Sequence, residues 1–405
     1  ADGSSVGDAS HEARARGGST ELNLMHYDYM GDRYALIDGP GSVGFAADAA
    51  LGTAVADLAI VVVDPDADRA LLAEPTLRQL EALGIPHMIF VNKIDQARGS
   101  IQELLEALQP MSKSPLVARW IPIREGESIT GFVDIALERA YYYRKGKESE
   151  QREIPADLAD REALERTQML ETLADHDDAL LEALLMDEVP TRETVYADLA
   201  KETGAGQIVP VLFGSATGTQ GVRRLLKALR HEAPAPNAAA ERLGAQGSCA
   251  IVFKVSHGGA MGRLSYARVF GGALKEGSEL NSSSGETLRI GTLFTVQGDK
   301  STKLAEAGSA RLGSPLRRPS RSDRTHSKIF ETLDDRRGAR VAPAGAAGNR
   351  ARYGSAPGRA DERLRHRAAR RGGHVSRELV PLRRERRQLD RRRVTDRGHL
   401  RRWWG

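Results

Sequence analysis

The chain has 405 residues, enough for roughly two or three domains, each with its own core. Hydrophobic residues make up 40% and charged residues 28%, an ordinary balance for a soluble globular protein. The longest apolar run, around Leu58–Val63, is too short to cross a bilayer, and no signal peptide opens the chain. A single cysteine, Cys249, excludes an internal disulfide framework and fits a reducing compartment, so the expected location is the cytoplasm. The polar Gly/Ser start at Ala1, without an initiator methionine, points to a fragment.

The formal net charge of +4 hides an asymmetry. From Ser309 onward there are 28 Lys+Arg, 27 of them Arg, against 10 Asp+Glu, a balance of +18; residues 1–308 carry −14. Such a split suggests a basic nucleic-acid arm on an acidic body.

Taken in chain order, the first 230 or so residues alternate between strands and helices. Tyr34–Ile37, Leu58–Asp64, His87–Val91 and Ile208–Phe213 are short apolar runs of the buried-strand type. Ala67–Leu83 and Ile101–Leu108 have apolar residues at helical spacing. The alternation predicts an α/β fold, a parallel sheet covered on both faces, with ligands beyond the carboxyl ends of its strands. Residues 116–200 break the rhythm. Strand-like Leu116–Ile123 and Gly131–Asp134, a turn at Glu125-Gly126-Glu127 and a charged helical stretch from about Asp157 to Met186 read as an inserted α+β subdomain. It interrupts a sheet domain spanning 1–232. A linker, 233–247, holds Pro234 and Pro236. Beyond it, Ala250–Lys254, Leu264–Val269 and Thr287–Phe294 alternate β-formers with Gly-rich turns, which suggests a small antiparallel barrel over 248–308. After Gly308 no periodicity persists, and 309–405 reads as a disordered Arg-rich tail.

Three short motifs carry chemistry. Asn92-Lys93-Ile94-Asp95 follows the strand His87–Val91 directly. A carboxylate at Asp95 can accept both the ring N–H and the exocyclic amine of guanine, a pair that adenine does not present. Asn92 would brace the pocket, and the Lys93 stem would lie along the purine face. Asp38-Gly39-Pro40-Gly41 ends the strand Tyr34–Ile37. An Asp there can hold Mg²⁺ through a water, and Gly41 lets its backbone N–H approach a terminal phosphate. On its own the same tetrapeptide is a plain turn sequence. Gly214-Ser215-Ala216 ends the strand Ile208–Phe213, and its small residues would let backbone N–H groups reach the guanine carbonyl oxygen. A generic strand-to-helix turn looks the same.

As an ordered set, these motifs resemble the GTPase domain of translation factors, elongation factor G in particular. Asp38–Gly41 matches the family's Asp-x-x-Gly, Asn92–Asp95 its Asn-Lys-x-Asp, and Gly214–Ala216 its Ser-Ala loop. Glu12-Ala-Arg-Ala-Arg-Gly-Gly-Ser-Thr20 resembles the switch segment that ends in Gly-Ile-Thr-Ile. This puts Ser19 at the position of the Mg²⁺-binding Thr, with Thr20 as the alternative. The insertion is similar to the extra subdomain of elongation factor G, and Lys254, Gly262-Arg263-Leu264 and Ile290-Gly291 look like its second-domain barrel. The resemblance, spanning about 1–308, implies GTP/GDP and Mg²⁺ as ligands, the ribosome as partner and GTP hydrolysis in translocation. It implies neither a membrane nor DNA.

The pattern departs from the family in three places. No Gly-x-x-x-x-Gly-Lys-Ser/Thr phosphate loop occurs, and its family position precedes Ala1 together with the first strand and helix. Exposed apolar edges and weak nucleotide binding are therefore expected. Ser42 stands where the family has a His that orients the attacking water, and a shorter uncharged hydroxyl positions water less well. It suits a slow or non-hydrolysing ribosome-associated protein as well as a turn residue. The resemblance stops near Gly308, and the 27:1 Arg-to-Lys ratio beyond it favours a reading-frame slip over an RNA-binding arm. Either origin would hold RNA through phosphates.

Overall fold

The computed structural model describes residues 6–8, 10–126, 128–144, 147–235, 238–245, 247–257, 262–282, 285–297 and 300–308, and the backbone of 312–317 and 340–343. All of them belong to one compact unit. The remainder of the 309–405 segment, with its expected disorder and RNA-binding role, lies outside the described residues.

The chain enters through a short helix α1 (His11–Arg16), started by the Ser10 side chain and ended by Gly17 at φ 67°. A hairpin follows, β1 (Asn23–Tyr29) and β2 (Asp32–Asp38), joined by Met30 and Gly31 at φ 51° and 89°. Two successive left-handed residues give the turn whose twist matches the strands. The structure thus places Tyr34–Ile37 in an antiparallel ribbon and not in the parallel sheet expected from the alternation. Its half-exposed burial pattern is the physical reason: a central parallel strand would be buried on both faces.

Helix α2 (Ala46–Ala54) then leads to β3 (Ala59–Val63), α3 (Glu74–Ala82), β4 (His87–Val91), α4 (Ile101–Leu108) and β5 (Leu116–Ala118). The expected helix 67–83 is split: Ala67–Ala73 winds as a tighter 3₁₀ turn, and Pro75 sits in the first turn of α3, where its missing N–H costs nothing. In α4, Ser100 and Glu103 form a reciprocal capping box, and Ile101, Leu104 and Leu108 turn one buried stripe inward.

After Ala118 the chain leaves the parallel sheet. Strands β6 (Trp120–Glu125), β7 (Ser128–Asp134), β8 (Arg139–Tyr142) and β9 (Glu150–Arg152) form a separate antiparallel sheet. Helices α5 (Ala159–Ala174), α6 (Asp178–Leu185) and α7 (Arg192–Ala205) pack on it around Ile121, Val133, Leu173, Val195 and Leu199. The helical stretch expected over 157–186 forms two helices, because the Asp177 carboxylate caps a new start through the Ala179 and Leu180 N–H groups. Strand β10 (Val209–Phe213) returns to the parallel sheet, whose order is β3-β4-β10-β5. Both central strands, β4 and β10, are buried at every residue. Among the described residues β2 and β3 each pair on one side only, and Leu36 in β2 and Val62 in β3 are exposed.

Helix α8 (Val222–Glu232) covers the sheet, and α9 (Ala238–Arg242) lies in the expected linker. The β-rich part comprises β11 (Cys249–His257), β12 (Arg263–Phe270), β13 (Ala273–Lys275), β14 (Glu279–Ser282), β15 (Thr287–Arg289), β16 (Leu293–Gln297), β17 (Lys300–Leu304), β18 (Glu306–Gly308), β19 (Leu312–Arg317) and β20 (Arg340–Pro343). β13 pairs with β18, and the other eight strands form one sheet. Sheet pairing therefore continues beyond Gly308: β19 adds to β12 and β16, and β20 to β11 and β14. Backbone N–H and C=O groups make a ladder without side-chain periodicity, so loss of the pattern did not mark its end.

The two parts meet at the carboxyl end of α2. Arg268, 2% exposed, donates to the Val55 carbonyl and to both Asp57 oxygens at 2.9 and 2.8 Å. Arg242 donates to the Ala54 and Ala56 carbonyls at 3.2 and 2.7 Å, and the Ala239 N–H reaches Asp57 at 3.2 Å. Helix ends leave carbonyls unpaired and carry partial negative charge, so guanidinium groups suit this place. Leu22, Val55, Ile251, Phe253 and Phe270 form a shared apolar core around it.

Asp57→Ala leaves the buried Arg268 charge without its carboxylate and should destabilise the chain by about 3 kcal/mol in urea unfolding. A second prediction concerns pH. Glu202 on α7 is fully buried, neither carboxyl oxygen has a hydrogen-bond partner, and burial, helped by Asp198, raises its pKa to about 7. A carboxyl whose folded pKa exceeds its unfolded value of 4.5 binds its proton more tightly when folded. Stability should thus fall as pH rises from 4.5 through about 7, and Glu202→Gln should flatten that slope in thermal melts across the range.

Candidate functional site

β4 and β10 run parallel and in register, Ile89 to Val211 and Val91 to Phe213, so the residues that follow them emerge side by side. The ladder extends beyond both strands: the Gly214 N–H donates to the Val91 carbonyl at 2.9 Å, and the Ile94 N–H to the Gly214 carbonyl at 3.0 Å. This approach requires glycine. A Cβ at Gly214 would strike the Gln220 carbonyl oxygen and lie 2.8 Å from the Phe90 ring.

Across this seam the Asn92 side-chain oxygen accepts the Ala216 N–H at 2.9 Å. The sequence motif is tied to the second loop by its own amide. Lys93 sits in the left-handed region at φ 58° and sends its ammonium to the Asp64 carboxylate at 2.8 Å. Lys93, with help from Arg69, holds the Asp64 carboxyl below its ordinary range. Asp64 was not singled out from the sequence, although a carboxylate just past the apolar run of β3 was a legible signal. Asp95 lies in a 3₁₀ turn, Ile94–Gln96, with an exposed side chain. Its carboxylate has no hydrogen bond or ion pair among the described residues, which leaves it open to a ligand.

The second loop differs from expectation in one respect. Its three N–H groups, expected to meet a ligand oxygen, are already taken: Gly214 by Val91, Ser215 by the Gln220 carbonyl at 2.9 Å, and Ala216 by Asn92. The Ser215 hydroxyl accepts from the Gly218 N–H at 3.2 Å, and Ser215 and Gln220 bridge the loop's ends. As folded, the loop braces itself, and Thr217 carries its first uncommitted N–H among the described residues.

A second group of residues gathers at the end of β2. The Ser19 hydroxyl donates to Asp38 at 3.2 Å, so two candidate metal positions 19 residues apart are in contact. Burial pushes the Asp38 carboxyl above its ordinary range, against the pull of the Ser19 hydrogen bond, and nearby Asp8 pushes the same way. Gly41 is exposed with open space around it, and Ser42 begins a 3₁₀ turn, Val43–Phe45, without making a side-chain cap. Arg16 of α1 lies over the Phe45 ring at 5.2 Å, which brings the 12–20 segment against this turn. No hydrogen bond joins this group to Asn92–Asp95 or Gly214–Ala216 among the described residues. Nor does any cluster of three or more His, Cys, Asp or Glu suited to a metal occur among them. Two oxygens, from Ser19 and Asp38, fit Mg²⁺ that brings phosphates and waters as its remaining ligands. No described helix is long and apolar enough to cross a membrane.

Asn92→Ala should free the Ala216 N–H and speed its hydrogen exchange about 5-fold, the equivalent of roughly 1 kcal/mol, while leaving buried β4 amides protected.

Comparison with known proteins identifies the family. Residues 1–235 match the Elongation factor Tu GTP binding domain family. An elongation factor G-like protein of Synechocystis sp. is 38% identical over 310 residues, which is 76% of this chain and 46% of that protein. A crystal structure of a Thermus thermophilus protein superposes with a TM-score of 0.71 at 26% identity, over 85% of this chain and 49% of that one. The chain spans about half the length of these relatives. With its parallel sheet and paired loops, it belongs to the translational GTPases that carry the elongation factor Tu GTP binding domain, and within them to the elongation factor G type.

Proposed function

We propose that this chain forms the guanine-recognition and switch region of a GTPase that acts on the ribosome in translocation. The observation that carries this reading is the Asn92–Ala216 bond beside an uncommitted Asp95 carboxylate. It leaves two acceptor oxygens at the mouth of a braced loop pair, the arrangement that guanine's adjacent N–H and amine require. Lys93, fixed on Asp64, lends its aliphatic stem to the purine face.

Ser19 and Asp38 would hold Mg²⁺ in common with the nucleotide, and the ion would neutralise phosphate charge. Gly41 offers a backbone N–H to a terminal phosphate. Loss of that phosphate would release the 12–20 and 38–45 segments together, because Ser19–Asp38 and Arg16–Phe45 already couple them. A second reading, a GTP-binding protein that associates with the ribosome without hydrolysing GTP, is favoured by Ser42 alone. Its exposed hydroxyl makes no cap bond and is too short to position water as an imidazole does. Single-turnover hydrolysis on ribosomes separates the two: Ser42→His should accelerate it under the first reading and leave it at background under the second.

Guanine selection is tested by Asp95→Asn. GDP binding, followed with a fluorescent analogue, should weaken about 10- to 150-fold, the cost of a charge-assisted hydrogen-bond pair, while xanthosine diphosphate gains. An unchanged preference between the two nucleotides would sink the assignment.

A further inference from the structure

Three neighbouring strands, β3, β4 and β10, end in one row, because Val63 pairs with Val91 and Val91 with Phe213. The Asn92 N–H continues the row by donating to the Val63 carbonyl at 2.9 Å. The residues past the three ends, Asp64, Asn92-Lys93 and Gly214, are therefore neighbours. Asn92 reaches one way, to Ala216 beyond β10, and Lys93 reaches the other way, to Asp64 beyond β3. The Asn-Lys pair is braced from both flanks, by a neutral hydrogen bond on one and an ion pair on the other.

The ionic brace has a particular build. Lys93 sits at φ 58° and ψ 35°, a left-handed conformation that residues with a side chain seldom adopt. Its ammonium donates to Asp64 Oδ1 at 2.8 Å, and the Arg69 guanidinium donates to Asp64 Oδ2. Arg69 belongs to the turn Ala67–Ala73, which the Asp66 side chain caps, so a neighbouring turn holds the carboxylate in place. With a cation on each oxygen, Asp64 is committed to the protein and not to a ligand. An ammonium has three N–H donors, and Asp64 takes one of them. Lys93 makes no other hydrogen bond or ion pair among the described residues, so its other donors and its stem remain available. A flexible lysine stem loses much rotamer freedom when a ligand fixes it. Anchoring the ammonium beforehand removes part of that loss from the binding step.

We propose that Asp64 is a positioning residue for nucleotide binding, holding the Lys93 stem in place along a purine face through their ion pair. The proposal rests on the guanine-recognition reading above and adds a requirement on the end of β3, outside both guanine loops. A stem packs on the face of a ring and not on its edge. Asp64 therefore governs how tightly a purine nucleotide is held, and Asp95 governs which purine is chosen.

The test is a double-mutant cycle on the full chain, read as affinity for a fluorescent GDP analogue. Asp64→Asn keeps the size of the side chain and removes its charge. It should weaken GDP about 5-fold, the upper scale of a partly exposed ion pair. The same substitution in a Lys93→Met background, which keeps a stem but no ammonium, should change affinity by less than about 2-fold. Inosine diphosphate, which lacks the exocyclic amine, should lose as much as GDP on Asp64→Asn, leaving the ratio of the two affinities unchanged. A merely structural role would instead give equal losses with Lys93 and with Met at that position. That result overturns the proposal, as does a GDP affinity that Asp64→Asn leaves untouched or a shifted ratio between the two nucleotides. In each of those cases GDP binding by the unaltered chain leaves the guanine reading standing. Absence of GDP binding by the unaltered chain overturns that reading, and this proposal with it.

Discussion

The site depends on how closely two parallel strands can approach where they end. β4 and β10 are buried throughout, and Gly214 carries their pairing past the strand ends to Val91 and Ile94, at a place where a side chain would strike the Gln220 carbonyl and the Phe90 ring. That extra pairing stitches the loop carrying Asp95 to the loop carrying Ser215. Asn92 then closes the seam with a side-chain bond to a backbone amide 124 residues away. Preorganisation of this kind lowers the entropy that a ligand would otherwise lose in ordering the loops.

A second constraint fixes the order of the parts. Helix α2 links the strand that bears Asp38 to the strand that leads to Asp64, and its carboxyl end is held by two arginines from the β-rich part and α9. A buried guanidinium gives little net stability over a hydrophobic replacement, but it is intolerant of mispairing. Any displacement of α2 relative to the β-rich sheet would have to break charge-assisted bonds to carbonyls and to Asp57. Lys254, donating to Glu21 at 2.7 Å and to the Leu22 carbonyl, and Gln297, paired with the backbone of His26, extend the same grip to β1. The segment that follows Ser19 is thereby tied to the β-rich part on one side and to Asp38 on the other.

Where the sequence misled, the cause was local reasoning about a non-local property. Tyr34–Ile37 has the composition of a buried parallel strand, but a two-residue left-handed turn commits it to a ribbon. The 157–186 stretch has unbroken helical character, and Asp177 nonetheless divides it by offering its carboxylate to two N–H groups. Ala216 was a plausible donor to guanine until the fold showed its N–H engaged by Asn92.

Read alone, the sequence determined the two central strands, the positions of the two loops that follow them and the family of the chain. Unbroken apolar runs demand burial on both faces, and parallel topology then sends the loops to one end of the sheet. Only the tertiary structure decided which donors remain free, that Ser19 meets Asp38, that Arg268 seeks Asp57 across 211 residues, and that strand pairing continues past Gly308. Those outcomes depend on which distant groups come within hydrogen-bonding distance, and periodicity carries no record of distance.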